Sequence, residues 1–380
     1  MAMMKPGFSL MDWNNLARVA DLSRGQHSAS RQISMEQLRQ RKDWCCIRGK
    51  VYDFSQYIPY HPGGSDELER GAGDDCTALF DEFHPWVNVD AMFKKCQVGV
   101  LVSSLAWTKA TVESSEDLGG HFFRVRFDFK DEEFLKQLHE AKEKGIIFHV
   151  KIRSKMGPNQ RFIERIYTPL VGMTFDPKYS EDKLSILIKR SIKKNRLCLS
   201  HAICSSAAAE LKFDVQFKPC TIKMGWYIDA NTVGLVCAGS GITPALQILS
   251  HEVSLGEAST RELFLVWCNR SEAHASLRPE LHELLTAMNG RLKLVHLLSR
   301  VEDVSASVFQ AKHEFEEFEY GRFDDEFLVK RPEALPMPPR GDDKKKVSIL
   351  MCGTWEFERS VRATMFMAGF STDALVRIPG

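Results

Sequence analysis

Apolar and polar residues alternate with a period of two along three segments in the middle of the chain. These segments are 122–129, 148–152 and 184–189. Such alternation is typical of strands with one buried face. A helix-like run of acidic and basic residues, 131–144, interrupts them. The pattern predicts a small antiparallel β-barrel over residues 106–227.

After residue 227 the pattern changes to apolar strands separated by helices. Strands are predicted at 232–237, 263–268, 292–298 and 347–351. Nearly continuous apolar strands that alternate with helices are typical of a parallel sheet with both faces covered. Residues 228–380 are therefore predicted to form a doubly wound α/β domain. The Pro-rich and then basic stretch 332–346 is predicted to be an exposed loop.

The N-terminal third begins with helix-start signals. Ser9 precedes an amphipathic stretch, and Ser34 with Gln37 three residues later has the pattern of a capping box. Residues 1–34 are expected to be an arm, either a short helix or, as favoured here, a disordered tail that packs Trp13 on a neighbouring surface. The Ser/Arg/Gln-rich run that follows is expected to be a flexible linker. Residues 35–103 are predicted to be a separate α+β domain.

Composition and charge narrow the function. A chain of 380 residues is long enough for two or three domains. The 51 basic and 50 acidic residues nearly balance, which argues against a nucleic-acid binder. No stretch approaches the roughly 18 apolar residues that span a bilayer, and the N-terminus has neither a signal core nor a Met-Gly start. Ten cysteines without a CxxC pair indicate reduced thiols in the cytosol rather than disulfides or zinc.

Two histidines, His61 and His84, stand 23 positions apart beside large apolar residues. The apolar residues are Leu68, Leu79, Phe80, Phe83 and Trp86. A flat apolar cofactor can lie between two imidazoles, and a haem iron with both axial positions filled is better suited to electron transfer than to oxygen binding. Gly63 and Gly64 permit the tight turn that brings in His61. The alternative is two unrelated histidines beside an ordinary Pro-Gly-Gly turn.

This stretch resembles the haem domain of the cytochrome b5 family, in which His-Pro-Gly-Gly is followed by a second histidine some twenty residues later. The resemblance implies haem b as a cofactor, with His61 and His84 as its iron ligands. Acidic residues near the pair form either a docking surface for a basic partner or a solvated face. They are Asp66, Glu67, Glu69, Asp74, Asp75, Asp81 and Glu82.

A second motif, Arg165-Ile166-Tyr167-Thr168-Pro169, lies within the predicted barrel. Arg165 and Tyr167 share one face of an extended strand, so a guanidinium can pair with a pyrophosphate beside a phenol ring. The motif resembles the flavin segment of the ferredoxin reductase superfamily. The resemblance implies that Arg165, Tyr167, Thr168 and Pro169 bind FAD.

The second flavin element of that superfamily, Gly-x-x-Ser, is matched only in part. Ser200 is present and is expected to bind FAD, but Leu197 stands where the glycine would be. His201 either contacts a phosphate or, as favoured here, faces solvent.

A glycine turn, Gly239-Ser240-Gly241-Ile242-Thr243-Pro244, follows the first strand of the α/β domain. Backbone NH groups at such a strand–turn–helix junction hold phosphates. The turn resembles the Gly-x-Gly-Ile-Thr-Pro of the same superfamily, which implies that Gly239, Gly241 and Thr243 bind NADH or NADPH. Arg270 and Ser271 at the end of the next strand either meet a 2′-phosphate or are solvated, which leaves the coenzyme preference open.

Cys352 and Gly353 follow the last predicted strand, at the carboxyl end where ligands bind in doubly wound sheets. Cytochrome b5 reductases have Cys-Gly-Pro near the nicotinamide and flavin, and Thr354 and Trp355 replace the prolines. The resemblance implies cofactor contacts for both residues and a catalytic role for Cys352 alongside Thr168. The alternative is that Cys352 is simply a buried small residue. Relatives end in an aromatic residue where this chain has Gly380.

The motifs together resemble the soluble fusions of cytochrome b5 with its reductase. The resemblance implies an NAD(P)H-dependent oxidoreductase that passes electrons through FAD to a b-type haem and on to an unidentified acceptor. About sixty residues separate Leu101 from Arg165, so the CS-type β-sandwich of the fusions is expected to be missing. Two alternatives are a haem-binding redox sensor with a degenerate reductase half and a nitrate-reductase- or desaturase-like system. The expected location is the cytoplasm, with association with the endoplasmic reticulum left open.

Overall fold

The chain divides into two compact units, Met1–Ala106 and Trp107–Gly380. The structure is a computed structural model. It describes residues 7–69, 71–77, 79–80, 84, 87–102, 107–143, 147–157, 160–170, 183–190, 198–205, 212–219, 227, 229–300, 313–338 and 346–378. The finer boundaries at residues 34, 103–106 and 227 stay predictions.

The N-terminal unit is built on a four-stranded sheet in the order β1-β4-β3-β2. Its strands are β1 (Gln32–Ser34), β2 (Trp44–Ile47), β3 (Lys50–Asp53) and β4 (Gln97–Val102). Its described helices are α1 (Leu10–Val19), α2 (Met35–Arg39), α3 (Ser65–Glu69) and α4 (Val89–Phe93). Strand β1 runs parallel to β4, and the other pairs are antiparallel. The predicted capping box of Ser34 and Gln37 is confirmed at the start of α2.

The N-terminal arm is folded, so the expectation of a disordered tail is wrong. Ser9 caps α1 through a capping box. Trp13 is 0% exposed, and its ring centre lies 4.8 Å from that of Tyr57, 5.5 Å from Tyr60 and 5.9 Å from Phe93. The burial of this large aromatic side chain contributes part of the free energy that offsets the entropy lost in ordering the helix.

The segment after α1 is also ordered, contrary to the expected flexible linker. Leu22 is fully buried in the same cluster as Trp13. The Arg24 guanidinium donates to Asp53 at 2.7 Å and also pairs with Asp43. These side-chain interactions raise the pKa of Arg24. An ion pair with a buried carboxylate ties this segment to strand β3.

We expect Trp13→Ala to lower the free energy of unfolding of the N-terminal unit by about 3–5 kcal/mol, because the truncation leaves a cavity in a closed aromatic cluster. Denaturant unfolding of the full chain followed by circular dichroism measures the change. Met11 lies on the same helix but is 74% exposed, so Met11→Ala is the control and should shift stability by under about 0.5 kcal/mol. Equal effects of the two variants would contradict the packing.

The second unit begins with an antiparallel sheet in the order β8-β7-β10-β5-β6-β9. Its strands are β5 (Thr108–Gly119), β6 (Phe122–Phe129), β7 (Phe148–Met156), β8 (Arg161–Tyr167), β9 (Leu184–Lys189) and β10 (Phe213–Pro219). A bridge between Pro169 and Ile186 connects the two edges, so the sheet closes as a barrel. Helices α5 (Glu132–Glu143) and α6 (Leu199–Ile203) accompany it. The three predicted strands and the predicted interruption are confirmed.

Only residues 103–107 separate β4 from β5. Five residues are too few for a β-sandwich domain, which agrees with the expected absence of a CS domain between the haem and flavin segments.

The rest of the second unit carries a parallel sheet in the order β14-β13-β12-β11-β15-β16. Its strands are β11 (Thr232–Ala238), β12 (Glu262–Asn269), β13 (Leu292–Leu298), β14 (Glu316–Tyr320), β15 (Val347–Cys352) and β16 (Leu375–Arg377). The helices are α7 (Thr243–Leu255), α8 (Arg278–Met288), α9 (Asp325–Lys330) and α10 (Trp355–Met367). Strand order reverses between β11 and β15, so a ligand crevice is expected at their carboxyl ends. The doubly wound prediction is confirmed.

The stretch predicted to be an exposed loop, 332–346, begins in the core instead. Ala334 and Leu335 are 3% and 4% exposed, respectively. Leu335 and Pro336 fill the space beside Gly234, where a Cβ would lie 3.0 and 3.3 Å from their side chains. The apolar residues between the prolines cover one face of the parallel sheet, and residues 339–345 lie outside the described part.

Candidate cofactor sites

The two histidines of the N-terminal unit lie next to each other. The ring centres of His61 and His84 are 6.1 Å apart, with an angle of 87° between the ring planes. His61 Nδ1 lies 2.8 Å from the carbonyl oxygen of Gly64. A carbonyl only accepts, so Nδ1 carries the proton and Nε2 keeps its lone pair. Gly64 adopts φ +93°, a conformation that glycine tolerates without strain.

The separation of the rings fits one metal ion between them. Metal–imidazole bonds of about 2 Å on each side place the two ring centres roughly 6 Å apart. A hydrogen bond from Nδ1 to a carbonyl is the usual way of orienting a ligating imidazole. Among the described residues, no group of three or more His, Cys, Asp or Glu side chains can hold a metal ion.

Apolar side chains surround the pair. Tyr57 lies with its ring 5.8 Å from that of His61, and Phe80 lies 5.5 Å from His84. Burial raises the pKa of Tyr57 to about 12, which keeps the phenol neutral. Leu68 and Phe80 pack against the core cluster that holds Trp13. Phe83 and Trp86 lie outside the described residues.

The acidic face is only partly available for docking. Asp75 Oδ1 accepts hydrogen bonds from the backbone NH and hydroxyl of Thr77 at 3.1 and 2.6 Å. Asp74 is 9% exposed and accepts a bond from the NH of Asp75 at 2.7 Å. These two carboxylates hold a local turn, and the choice between a docking surface and a solvated face stays a prediction. Glu69 is exposed, while the side chains of residues 66, 67, 81 and 82 lie outside the described part.

In the second unit, the predicted flavin segment occupies the end of β8. Arg165 and Tyr167 pair with Ile152 and Val150 of β7, so their side chains share a face of the barrel as predicted. Arg165 Nη1 donates to the carbonyl of Glu164 at 2.8 Å. Tyr167 packs against the barrel core, and burial raises the pKa of its phenol.

Thr168 has a partner that the sequence analysis missed. The hydroxyl of Thr168 and Nδ1 of His149 lie 2.9 Å apart, and the two residues are 8% and 2% exposed. The β7–β8 pairing ends at Val150 and Tyr167, and His149 and Thr168 are their next neighbours in the chain. The cross-strand bond therefore fixes the orientation of the threonine hydroxyl.

Ser200 lies on α6, whose residues contact β8. Its Oγ is 3.1 Å from Sγ of Cys198. His201 is exposed, so the favoured interpretation of a solvent-facing histidine is confirmed. Leu197, which replaces the expected glycine, lies outside the described residues.

The glycine turn lies at the switch point of the parallel sheet. Residues Gly239–Ile242 form a single 3₁₀ turn that leads into α7, and Thr243 Oγ1 donates to the carbonyl of Ser240 at 3.1 Å. Trp267 Nε1 donates to the carbonyl of Gly239 at 2.9 Å. A Cβ on Gly241 would lie 2.4 Å from the carbonyl oxygen of Cys352. The turn thus packs backbone against backbone on the end of β15.

Cys352 and Gly353 are held there by a carboxylate that the sequence analysis missed. Cys352 is 2% exposed. Gly353 donates its NH to Glu358 Oε1 at 3.2 Å, and Glu358, 3% exposed, also pairs with Arg377 of β16. The Arg377 guanidinium lies 4.9 Å from the centre of the Trp355 ring. An ion pair between the buried Glu358 and the half-buried Arg377 therefore holds the turn that follows β15.

The two residues considered for a 2′-phosphate, Arg270 and Ser271, differ in exposure. Ser271 is 1% exposed, and its hydroxyl lies 3.0 Å from Nδ1 of His274, so it is committed to a local turn. Arg270 is exposed. Ser271 is therefore held in a local turn, and the choice between a 2′-phosphate contact and a solvated arginine stays open for Arg270.

Two family models match parts of the chain. Residues 31–102 match the family described as "Cytochrome b5-like Heme/Steroid binding domain". Residues 235–363 match the "Oxidoreductase NAD-binding domain". The chain thus carries a cytochrome b5-like domain followed by an NAD-binding oxidoreductase domain. Within the described residues, no helix has the length and apolar character needed to cross a membrane.

Several curated proteins are similar to parts of the chain. Cytochrome b5 reductase 4 of Bos taurus is 43% identical over 121 residues, which cover 31% of this chain and 23% of the relative. The Homo sapiens protein is 47% identical over 100 residues, 25% of this chain and 19% of that protein. The matches thus span less than a quarter of these relatives. Nitrate reductase [NADPH] of Beauveria bassiana is 25% identical over 379 residues, 88% of this chain and 38% of that protein.

Solved reductase structures share a fold with this chain. The CS-b5R domains of human Ncb5or in the NAD+ form align with a TM-score of 0.52 at 18% identity, covering 73% of this chain and 70% of that one. The cytochrome b5 reductase domain of Ulva prolifera nitrate reductase aligns with a TM-score of 0.52 at 15% identity, covering 72% and 97%. At these identities the likeness establishes the fold alone.

Proposed function

We propose that the chain is an NAD(P)H-dependent flavohaem oxidoreductase. In this function electrons pass from NAD(P)H through FAD to a haem b held by His61 and His84, and then to an external acceptor. The observation that carries the proposal is the His61–His84 pair, with ring centres 6.1 Å apart. The hydrogen bond from His61 Nδ1 to the Gly64 carbonyl leaves Nε2 as the ring nitrogen that would bind the iron.

The residues of the second unit supply binding and orientation. Arg165 offers a guanidinium for a pyrophosphate, and Tyr167 beside it offers a neutral ring. The Thr168 hydroxyl is fixed by His149, so it presents one defined hydrogen-bonding direction to a flavin. Ser200, Pro169, Gly239, Gly241, Thr243 and Gly353 complete the proposed cofactor contacts.

In this proposal the cofactors carry out the redox chemistry, and the protein positions them. When bound, FAD accepts two electrons from the nicotinamide and releases them singly, and the haem iron accepts one at a time. The protein brings the glycine turn after β11 against Cys352 at the end of β15, so a nucleotide at the turn lies beside that cysteine. Cys352 is proposed as a catalytic contact together with Thr168.

The test is a stopped-flow absorbance record of the purified chain mixed anaerobically with NADH and, separately, with NADPH. We expect the flavin to bleach first and the reduced haem bands to follow. A haem rate that does not change with protein concentration would show transfer within one chain, and a rate proportional to concentration would show transfer between chains. Purified chain with haem but no flavin, and no reduction by either nucleotide, would support the redox-sensor alternative instead.

The reductase is favoured over a degenerate half by the family comparisons, because the NAD-binding match includes both the glycine turn and the Cys352-Gly353 end of the sheet. The external acceptor stays unidentified by chemical class. A cytoplasmic location, with or without association with the endoplasmic reticulum, stays a prediction.

A further inference from the structure

Gln247 connects helix α7 to the backbone of the β-barrel in the second unit. It lies on α7, four residues after the helix begins at Thr243, and is 9% exposed. Its Oε1 accepts a bond from the NH of Phe148 at 3.1 Å. Its Nε2 donates to the carbonyls of Phe148 at 3.2 Å and Pro169 at 2.9 Å. One side-chain amide from the nucleotide-side helix thus makes three hydrogen bonds to barrel backbone.

These bonds lie just beyond the end of the β7–β8 ladder. The antiparallel pairing of the two strands ends at Val150 and Tyr167. Beyond it, Phe148 pairs with Pro219 of β10, and Pro169 forms a bridge with Ile186 of β9. The Gln247 amide bonds to the backbone of both Phe148 and Pro169, so a residue of α7 joins the two strand ends in addition to the His149–Thr168 bond.

The same strand ends carry the proposed flavin hydroxyl. His149 and Thr168, which are hydrogen-bonded, are the neighbours of Phe148 and Pro169 in the chain. Helix α7 begins at the glycine turn proposed to bind the nucleotide. Gln247 is thus a direct polar connection between the turn's helix and the backbone beside Thr168. A change in this connection would displace the proposed nucleotide site, which holds the hydride donor, relative to the proposed flavin site, which holds the hydride acceptor.

We propose that Gln247 is a positioning residue for hydride transfer, which sets the register of the nucleotide turn on the flavin segment. This inference rests on the proposed function. Leucine has nearly the shape of glutamine but offers no hydrogen bonds, so Gln247→Leu removes all three. Small displacements of reacting groups cost rate steeply, so the limiting rate of flavin reduction should fall about tenfold to a hundredfold. The Kd for NADH, which reflects contacts at the turn itself, should change less than about threefold.

The experiment is anaerobic stopped-flow reduction of the purified full chain over a range of NADH concentrations, with rates expressed per bound flavin. Ser250→Ala, at another buried position on α7, is the matched control and should reduce flavin at the wild-type rate. A purely structural role predicts lower flavin content or a lower Tm, with the remaining flavin reduced at the wild-type rate. That result would overturn the inference. A wild-type chain that fails to reduce its flavin would overturn the proposed function itself.

A second variant covers the case in which Gln247→Leu does not fold. Gln247→Glu keeps an acceptor for the NH of Phe148, and its carboxyl donates to a carbonyl only when protonated. The ratio of its limiting rate to that of the wild type should therefore rise as the pH falls from 8 to 6. A ratio that stays constant over this range, with flavin fully bound, would contradict the donor role of the amide.

Discussion

His84→Ala is expected to give a folded chain that retains flavin but loses nearly all of its haem. The substitution removes one of two protein ligands, and the remaining imidazole of His61 cannot hold the iron from both sides. Changes to outer-shell partners alone cost 10–100-fold in metal affinity, and loss of a direct ligand should cost more than that. His61→Ala should have the same effect, because it removes the other of the two proposed ligands.

Haem per chain, measured as the pyridine haemochrome, and flavin per chain, measured after release by heat, give the two required numbers. His27 is a histidine of the same unit that is not a proposed ligand, so His27→Ala is the control and should retain full haem. NADH should still bleach the flavin of His84→Ala, because the proposed flavin and nucleotide residues belong to the other unit. A His84→Ala protein with full haem and an unchanged low-spin spectrum would exclude His84 as a ligand.

In the N-terminal unit, local features could be predicted from the sequence, whereas contacts between residues far apart in the chain could not. The Ser34–Gln37 box lies within one helical turn, so two residue types at fixed spacing sufficed to predict it. Trp13 depends on Tyr57 and Phe93, which are 44 and 80 positions away in the chain. Amphipathic spacing alone does not reveal such a partner surface, and a folded arm was therefore mistaken for a tail.

The same distinction between local patterns and long-range contacts holds in the second unit. Alternation predicted β6 and β9 with their observed bounds, because side-chain period is a property of one strand. His149, Gln247 and Glu358 were missed because each acts on backbone or hydroxyl groups of another element. A buried polar residue gives a functional signal only once the register is known.

Gly241→Ala is expected to abolish reduction of the flavin by NAD(P)H, lowering its rate by more than about a hundredfold. The added Cβ would lie 2.4 Å from the carbonyl oxygen of Cys352, 2.7 Å from its carbonyl carbon and 3.0 Å from the nitrogen of Gly353. All three are backbone atoms, so no rotation of a side chain relieves the overlap. Either the glycine turn or the Cys352-Gly353 end of β15 must move, and both are proposed to contact the cofactors.

The decisive comparison uses the two glycines that flank α7. Gly256 follows the helix with φ +53°, and a methyl group added there would meet no neighbouring atom within 4 Å, so Gly256→Ala carries only a conformational cost of about 1 kcal/mol. It should lower the Tm slightly and leave flavin reduction intact. Gly241→Ala should keep its haem and accept electrons from dithionite while NADH fails to bleach the flavin. If NADH reduced both variants equally fast, the close packing at the switch point would have no part in hydride transfer, and the nucleotide would have to bind elsewhere.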